Sequence, residues 1–241
     1  MGPVVFAATL TTALAVGLAQ AQVPAVPADA GEIHGLKLGL KADAMRLEGC
    51  GELACGSNGG PPRQKLTAWS QFRKCRAEDS GLHEVTARFD DEDEYIAKAI
   101  DEPLYQSQHR GTRVAGHPVI LSALFDDSGM LRGIRFVSDP AATPLERRMA
   151  HLLQQAVINR YGAADWTCTD LPRVEGETPV GGVYIKQRCT KDTAARQLAL
   201  ETHFLRKPGQ QAVNPATREY TQGEFESWTR FELLDPTYAK P

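Results

Sequence analysis

Apolar and polar residues alternate along most of this chain, and a few stretches shift to a spacing of three and four. The clearest unit spans residues 118–137. Pro118 to Phe125 (PVILSALF) and Met130 to Val137 (MLRGIRFV) are two β-rich runs joined by Asp126, Asp127, Ser128 and Gly129. That turn chemistry predicts a hairpin, with Gly129 suited to the positive φ that closes it. Directly after it, Thr143, Pro144 and Glu146 supply an N-cap, a proline at the first helical position and the acid of a capping box. Leu145, Met149, Leu152, Leu153, Ala156 and Tyr161 then recur at helical spacing, which predicts a helix with that face buried and Gly162 as its stop. His151 falls on the polar flank and is expected to be solvated.

Further on, residues 166–169 and 183–189 flank a glycine- and proline-rich loop and are expected to pair antiparallel, bringing Cys168 close to Cys189. Two more strands are predicted, from Gln197 to Leu205 and from Ser227 to Leu234. In the first, Leu198, Leu200, Thr202 and Phe204 share one face while Glu201 and His203 share the other. In the second, Trp228, Arg230 and Glu232 face away from Thr229, Phe231 and Leu233. The N-terminal half reads similarly: a short helix over 41–48, strands over 65–73 and 82–89, and a helix over 90–100 opened by the acidic run 90–94, which complements the helix macrodipole. The predicted class is α+β: antiparallel sheet units each covered by a helix, arranged as two similar units at 33–108 and 109–241.

Ahead of these lies a different pattern. Residues 3–19 form an uncharged apolar run that ends in Ala19, Gln20 and Ala21, the small-x-small pattern of signal peptidase cleavage. Residues 1–22 are therefore expected to be a signal peptide, or an N-terminal anchor, since the run is near the lower length limit for a membrane span. Residues 23–32 read as a Pro/Ala tether. No cysteine follows the apolar run, so no lipid anchor is expected there, and no later run is apolar enough to span a bilayer.

The net charge of −3 has the wrong sign and too small a magnitude for nucleic acid or an anionic membrane surface. There are five cysteines, at 50, 55, 75, 168 and 189. In an exported protein such cysteines read first as disulfides. Cys50 and Cys55 sit in a glycine-rich run, EGCGELACGSNGG, with four residues between them, which does not fit a two-residue redox motif. A zinc site drawing on Cys75 and His83 is the minority alternative. The favoured pairs are Cys55 with Cys75 and Cys168 with Cys189, leaving Cys50 unpaired.

Among catalytic patterns, G-x-S-x-G, H-E-x-x-H, S-x-x-K with K-T-G, and G-x-x-x-x-G-K-S/T are all absent. The glycine run 56–60 leads into Pro61 and Pro62 rather than a helix, against a phosphate loop. No cofactor and no metal site is predicted.

Gly35, Leu36, Lys37, Leu38, Gly39 and Leu40, entering a short predicted helix, resemble the opening of small envelope proteins of the outer-membrane-assembly lipoprotein and β-lactamase inhibitory protein type. The similarity covers residues 33–140 and departs from the lipoproteins at the missing lipobox. It implies a binding or scaffolding role and carries no site residue. Together these readings predict a periplasmic or secreted, disulfide-stapled envelope protein with a binding, inhibitory or assembly role through protein–protein contact. Its partner would be a protein or another envelope component. Trp69, Trp228 and Arg230 are the candidate anchors, because aromatic and arginine side chains dominate interfaces. The alternative is a secreted hydrolase or metal-dependent enzyme with scattered residues, with Glu201 and His203 as its acid/base pair.

Overall fold

The structure, a computed structural model, describes residues 2, 33–46, 49–89, 111–211, 213–219 and 225–238. The leader and tether over 3–32 and the acidic helix expected over 90–100 lie outside the described residues. The strands in chain order are β1 (Cys50–Cys55), β2 (Lys65–Leu66), β3 (His83–Phe89), β4 (Arg113–Val114), β5 (His117–Phe125) and β6 (Leu131–Ser138). After helices α1 (Pro144–Met149) and α2 (Leu153–Arg160) come β7 (Thr167–Asp170), β8 (Ile185–Asp192), β9 (Gln197–Leu205) and β10 (Glu226–Leu234). They form one antiparallel sheet in the order β2-β1-β3-β5-β6-β10-β9-β8-β7, with β4 paired to β5.

This arrangement corrects the α+β expectation. Strand accounts for 42% of the structure against 13% helix, and no separate sheet units sit under helices of their own. The reason lies in the β3–β5 pairing, where Val85 opposes Ala123 and Ala87 opposes Leu121. That ladder satisfies the backbone of β3 with a strand from beyond residue 109, so the strands of 33–108 and 109–241 join in a continuous sheet.

The hairpin is the organising element. β5 and β6 pair from Val119↔Ser138 to Phe125↔Leu131. The Asp126 carboxylate accepts the N–H groups of Ser128 and Met130, at 2.9 and 3.0 Å, and Gly129 takes φ 79°. Thr143 forms the full capping box with Glu146 at the start of α1.

Three local expectations fail. The predicted helix at 41–48 is absent over its described residues, because Lys41 bridges Met130 and Ala42 donates to the Gly129 carbonyl at 2.9 Å, which draws the segment onto the hairpin turn. The predicted strand at 65–73 shrinks to β2 and gives way to a 3-10 helix, Trp69–Lys74, whose three-residue period puts Trp69 and Phe72 on one side, against Phe125. The buried face of the α1–α2 element is Ala150, Leu153 and Val157, while Leu145, Met149 and Leu152 are exposed. A 3-10 turn at Ala150–Leu152 separates the two helices and shifts their phase. His151 is half-buried there and stacks on Phe204 with ring centroids 4.0 Å apart.

Alternation along the strands sorts the sheet into two faces. One carries Leu53, Val85, Leu121, Ala123, Ile134, Phe136, Leu200, Phe231 and Leu233. It is covered by α2, the 3-10 helix and Ile33, Leu36 and Ala42, making one hydrophobic core. The other face is charged. Among the described residues no helix is long and apolar enough to cross a membrane.

Candidate functional site

Cross-strand partners place the charged positions together. Thr86 opposes Ser122, Ser122 opposes Arg135, Arg135 opposes Glu232, and Arg230 lies between Val137 and Glu201. At the centre is the Arg135 guanidinium, whose side chain is only 5% exposed. It donates to Glu232 Oε1 at 2.6 Å and as a fork to both oxygens of Glu78 at 2.6 and 2.9 Å, with Glu84 Oε2 at 3.3 Å. Burial disfavours its charge, but the hydrogen bonds and three carboxylates outweigh that and raise its pKa. Burial likewise pushes the Glu232 carboxyl up, and the Arg135 and Arg230 charges overcome it, leaving it below the ordinary carboxylate value.

The glycine-rich loop caps this cluster. The N–H groups of Asn58 and Gly59 both donate to the Glu84 carboxylate, the second at 2.9 Å. Arg230 donates from the other side to the Asn58 carbonyl at 2.8 Å and to Asn58 Oδ1 at 2.7 Å. The loop does cradle an anion, but the anion is the chain's own Glu84. Glycine is needed for this approach: a Cβ on Gly56 would lie 2.2 Å from Glu84 Cδ, and one on Gly59, at φ 77°, would lie 2.4 Å from Val137 Cγ2. The Cys55–Cys75 disulfide, 20 residues apart in sequence, anchors the base of the loop.

Towards β8 the same face is more open. His203 stacks on Trp228 with centroids 4.1 Å apart, and its Nε2 lies 3.1 Å from Glu201 Oε1. Arg188 Nε approaches Glu201 Oε2 at 3.6 Å, and the Arg188 side chain is 58% exposed. Trp228 donates to Glu226 at 2.7 Å and helps line a hollow of about 210 Å³ with Phe225, Arg147, Pro140 and Pro144. At the outer strands, Cys168–Cys189 joins β7 to β8. In the loop between them, burial opposes the charge of Glu177, but the Val174 N–H, Lys186 and the Tyr184 hydroxyl bring its pKa down to about 2.

The structure thus joins Cys55 to Cys75 and Cys168 to Cys189, leaves Cys50 outside any disulfide, and sets Glu201 beside His203. Trp69 is elsewhere: it is 2% exposed, within the core against Phe125, where no partner can touch it. Trp228 and Arg230 share the charged face, but Arg230 is occupied as the clamp on Asn58. Glu201 and His203 contact each other, Arg188 and Trp228, and line none of the cavities described here. Among the described residues no three His, Cys, Asp or Glu side chains converge as a metal site requires.

Sequence reasoning did not find Arg135, Glu78 or Glu84. The available signal was a charge between two large apolar strand residues, Ile134 and Phe136. No protein-family model matches the chain, and no curated protein or solved structure matches it either.

Proposed function

We propose that this is an exported, disulfide-stapled binding protein of the cell envelope or its surroundings, which takes hold of a protein partner through the open part of the charged sheet face. The observation that carries the reading is Trp228, held flat on His203 at 4.1 Å at the border of a hollow of about 210 Å³. An aromatic residue already fixed by stacking and a hydrogen bond loses little entropy on contact and suits an anchor. Exposed ion pairs surround it, Arg188 with Glu201 at 3.6 Å and Lys207 with Glu226 at 3.2 Å, and supply the polar rim. Export is supported by the apolar leader ending in Ala19, Gln20 and Ala21, and by two disulfides, which persist in oxidising compartments. The resemblance of residues 33–140 to envelope inhibitors and assembly subunits points the same way.

The test is affinity capture from native envelope with crosslinking, comparing the parent chain with Trp228→Ala and Arg188→Glu. Arg230 is a poor choice, since replacing it also frees the Asn58 loop. A partner held by the parent and lost by both variants, with their melting temperatures unchanged, supports the reading. The same set of captured proteins from all three chains overturns it.

A further inference from the structure

We propose that the loop between β7 and β8 is a substrate-like inhibitory loop for an arginine-specific serine protease. It presents Arg173 to the protease's specificity pocket and the Arg173–Val174 peptide bond to its serine. Pro172, Arg173, Val174, Glu175 and Gly176 are all exposed and lie outside helix and sheet. The Pro172 ring fixes its own φ and keeps Leu171 out of the helical region, so the chain reaches Arg173 already drawn out. The Arg173 guanidinium has no carboxylate partner among the described residues and rests over the Tyr184 ring, 3.8 Å from its centroid. An exposed cation–π contact of this kind is worth about two- to fivefold in affinity, less than a guanidinium gains from a carboxylate at the base of a dry pocket. Arg173 can therefore leave Tyr184 for a protease.

The Arg173–Val174 bond is held from both sides. Before it, Lys186 Nζ donates to the Pro172 carbonyl at 2.8 Å, and the Leu171 N–H donates to the Lys186 carbonyl at 2.7 Å. After it, the Val174 N–H donates to Glu177 Oε2 at 2.9 Å. The Glu177 side chain is 6% exposed and also accepts from the Tyr184 hydroxyl at 2.7 Å and from Lys186 Nζ at 2.9 and 3.1 Å. Thr178 and Arg206 exchange backbone hydrogen bonds at 3.0 and 2.8 Å, and Cys168–Cys189 ties the two strands at the base. A loop ordered before contact gives up little entropy on binding.

These contacts favour an inhibitor over a substrate. In the reaction the protease serine Oγ adds to the Arg173 carbonyl carbon, the bond to the Val174 nitrogen breaks, and that nitrogen leaves with a proton delivered by the protease histidine. In a mobile loop the new amine would drift away and water would complete the hydrolysis. Here it still donates to Glu177 while Pro172 stays on Lys186, so the two ends remain together. Attack by the amine on the acyl-enzyme carbon re-forms the peptide bond and returns the proton, through the histidine, to the serine; proximity gives this route its advantage over water. The inference stands on the loop alone and does not rest on the Trp228 face.

The experiment adds the oxidised full chain to trypsin and, separately, to chymotrypsin, and follows hydrolysis of a small chromogenic substrate of each. Competitive and lasting inhibition of trypsin alone is expected. Arg173→Ala, at an exposed position where the melting temperature should not change, should weaken inhibition about a hundredfold or more, the scale of losing a central anchor. Arg173→Lys should keep it, and Trp228→Ala should inhibit like the parent. Glu177→Gln should inhibit at first and then lose its hold as cleavage after Arg173, read by mass spectrometry, runs to completion. No inhibition of trypsin, equal inhibition of both proteases, undiminished inhibition by Arg173→Ala, its loss in Trp228→Ala, or complete cleavage of the parent after Arg173 with return of activity overturns the proposal.

Discussion

The Glu84 carboxylate, rising from a central strand, accepts the Gly59 N–H at 2.9 Å, and the Gly56 Cα lies so close that an added Cβ would sit 2.2 Å from Glu84 Cδ. Loop and carboxylate therefore behave as one unit. Gly56→Ala cannot be accommodated without moving a charge that is 3% exposed and paired to Arg135. We expect it to cost about 1–3 kcal/mol, the range for overpacking a buried site. In a Glu84→Ala background the colliding atoms are gone, so the same substitution should cost much less. Urea denaturation of the four chains measures this as a double-mutant cycle, and additive costs would show that Gly56 acts through something other than Glu84.

Arg135→Met would strand Glu78, Glu84 and Glu232 near one another with most of their countercharge removed. Taking away one partner of a buried pair typically costs about 3–5 kcal/mol. The pH dependence carries the sharper prediction. Without the guanidinium, burial and mutual repulsion raise the folded carboxyl pKa values above their unfolded ones, so the lost stability returns as pH falls. The variant should therefore gain stability on going from pH 7 to about pH 5, where the parent does not. Parallel pH profiles for the two chains would argue against a carboxylate cluster centred on Arg135.

What was readable in advance is local. The Asp126 to Gly129 turn, the Thr143–Glu146 box and the Cys168↔Cys189 register are each determined within a short span of sequence, and so are the alternating faces of β9 and β10. The charged cluster is not local: Arg135 meets partners 57 residues before it and 97 after it, so its composition depends on strand order. β1 escaped notice because Gly49, Gly51 and Gly56 make its surroundings look like a loop, and it is a strand only by pairing with β3. Trp69 looked like an anchor because nothing nearby in sequence reveals Phe125, 56 positions on, as its packing partner.

Acid should weaken the protein in two steps. His117 and His151 have lowered pKa values, chiefly because burial disfavours their charged forms, so the unfolded chain binds protons first as pH drops below about 6.5. Glu177 has its pKa lowered from 4.5 to about 2, so its contribution is complete above pH 4.5 and drains away between 4.5 and 2. Its side chain is 6% exposed, but Val174 and Val183 nearby are 56% and 47% exposed. With solvent screening that charge so closely, we expect a contribution of about 1–2 kcal/mol rather than the full value of the shift. Thermal melts from pH 7 to pH 2 should show both steps, and Glu177→Gln should make only the lower one smaller, since Asp126, Glu146, Glu232 and Asp235 also have lowered pKa values. An unchanged lower step in that variant would assign the acid loss to other carboxylates.

The two disulfides should not respond equally to reductant. Cys168 lies on β7, an edge strand whose four residues are all exposed, while Cys55 and Cys75 are 6% and 3% exposed within the core. Thiol–disulfide exchange requires the attacking thiolate to reach a sulfur, so access sets the order. Limited reduction of the folded chain, followed by alkylation and peptide mapping, should label Cys168 and Cys189 before Cys55 and Cys75. Denatured but unreduced protein should show one thiol, that of Cys50. Each bridge closes a loop of about 20 residues and contributes roughly 3 kcal/mol in the loop-entropy account. Opening the first should therefore lower the melting temperature while the clasp of Glu84 on the Gly59 loop stays intact. Simultaneous labelling of all four cysteines would mean that reduction proceeds through global unfolding rather than through the exposed edge.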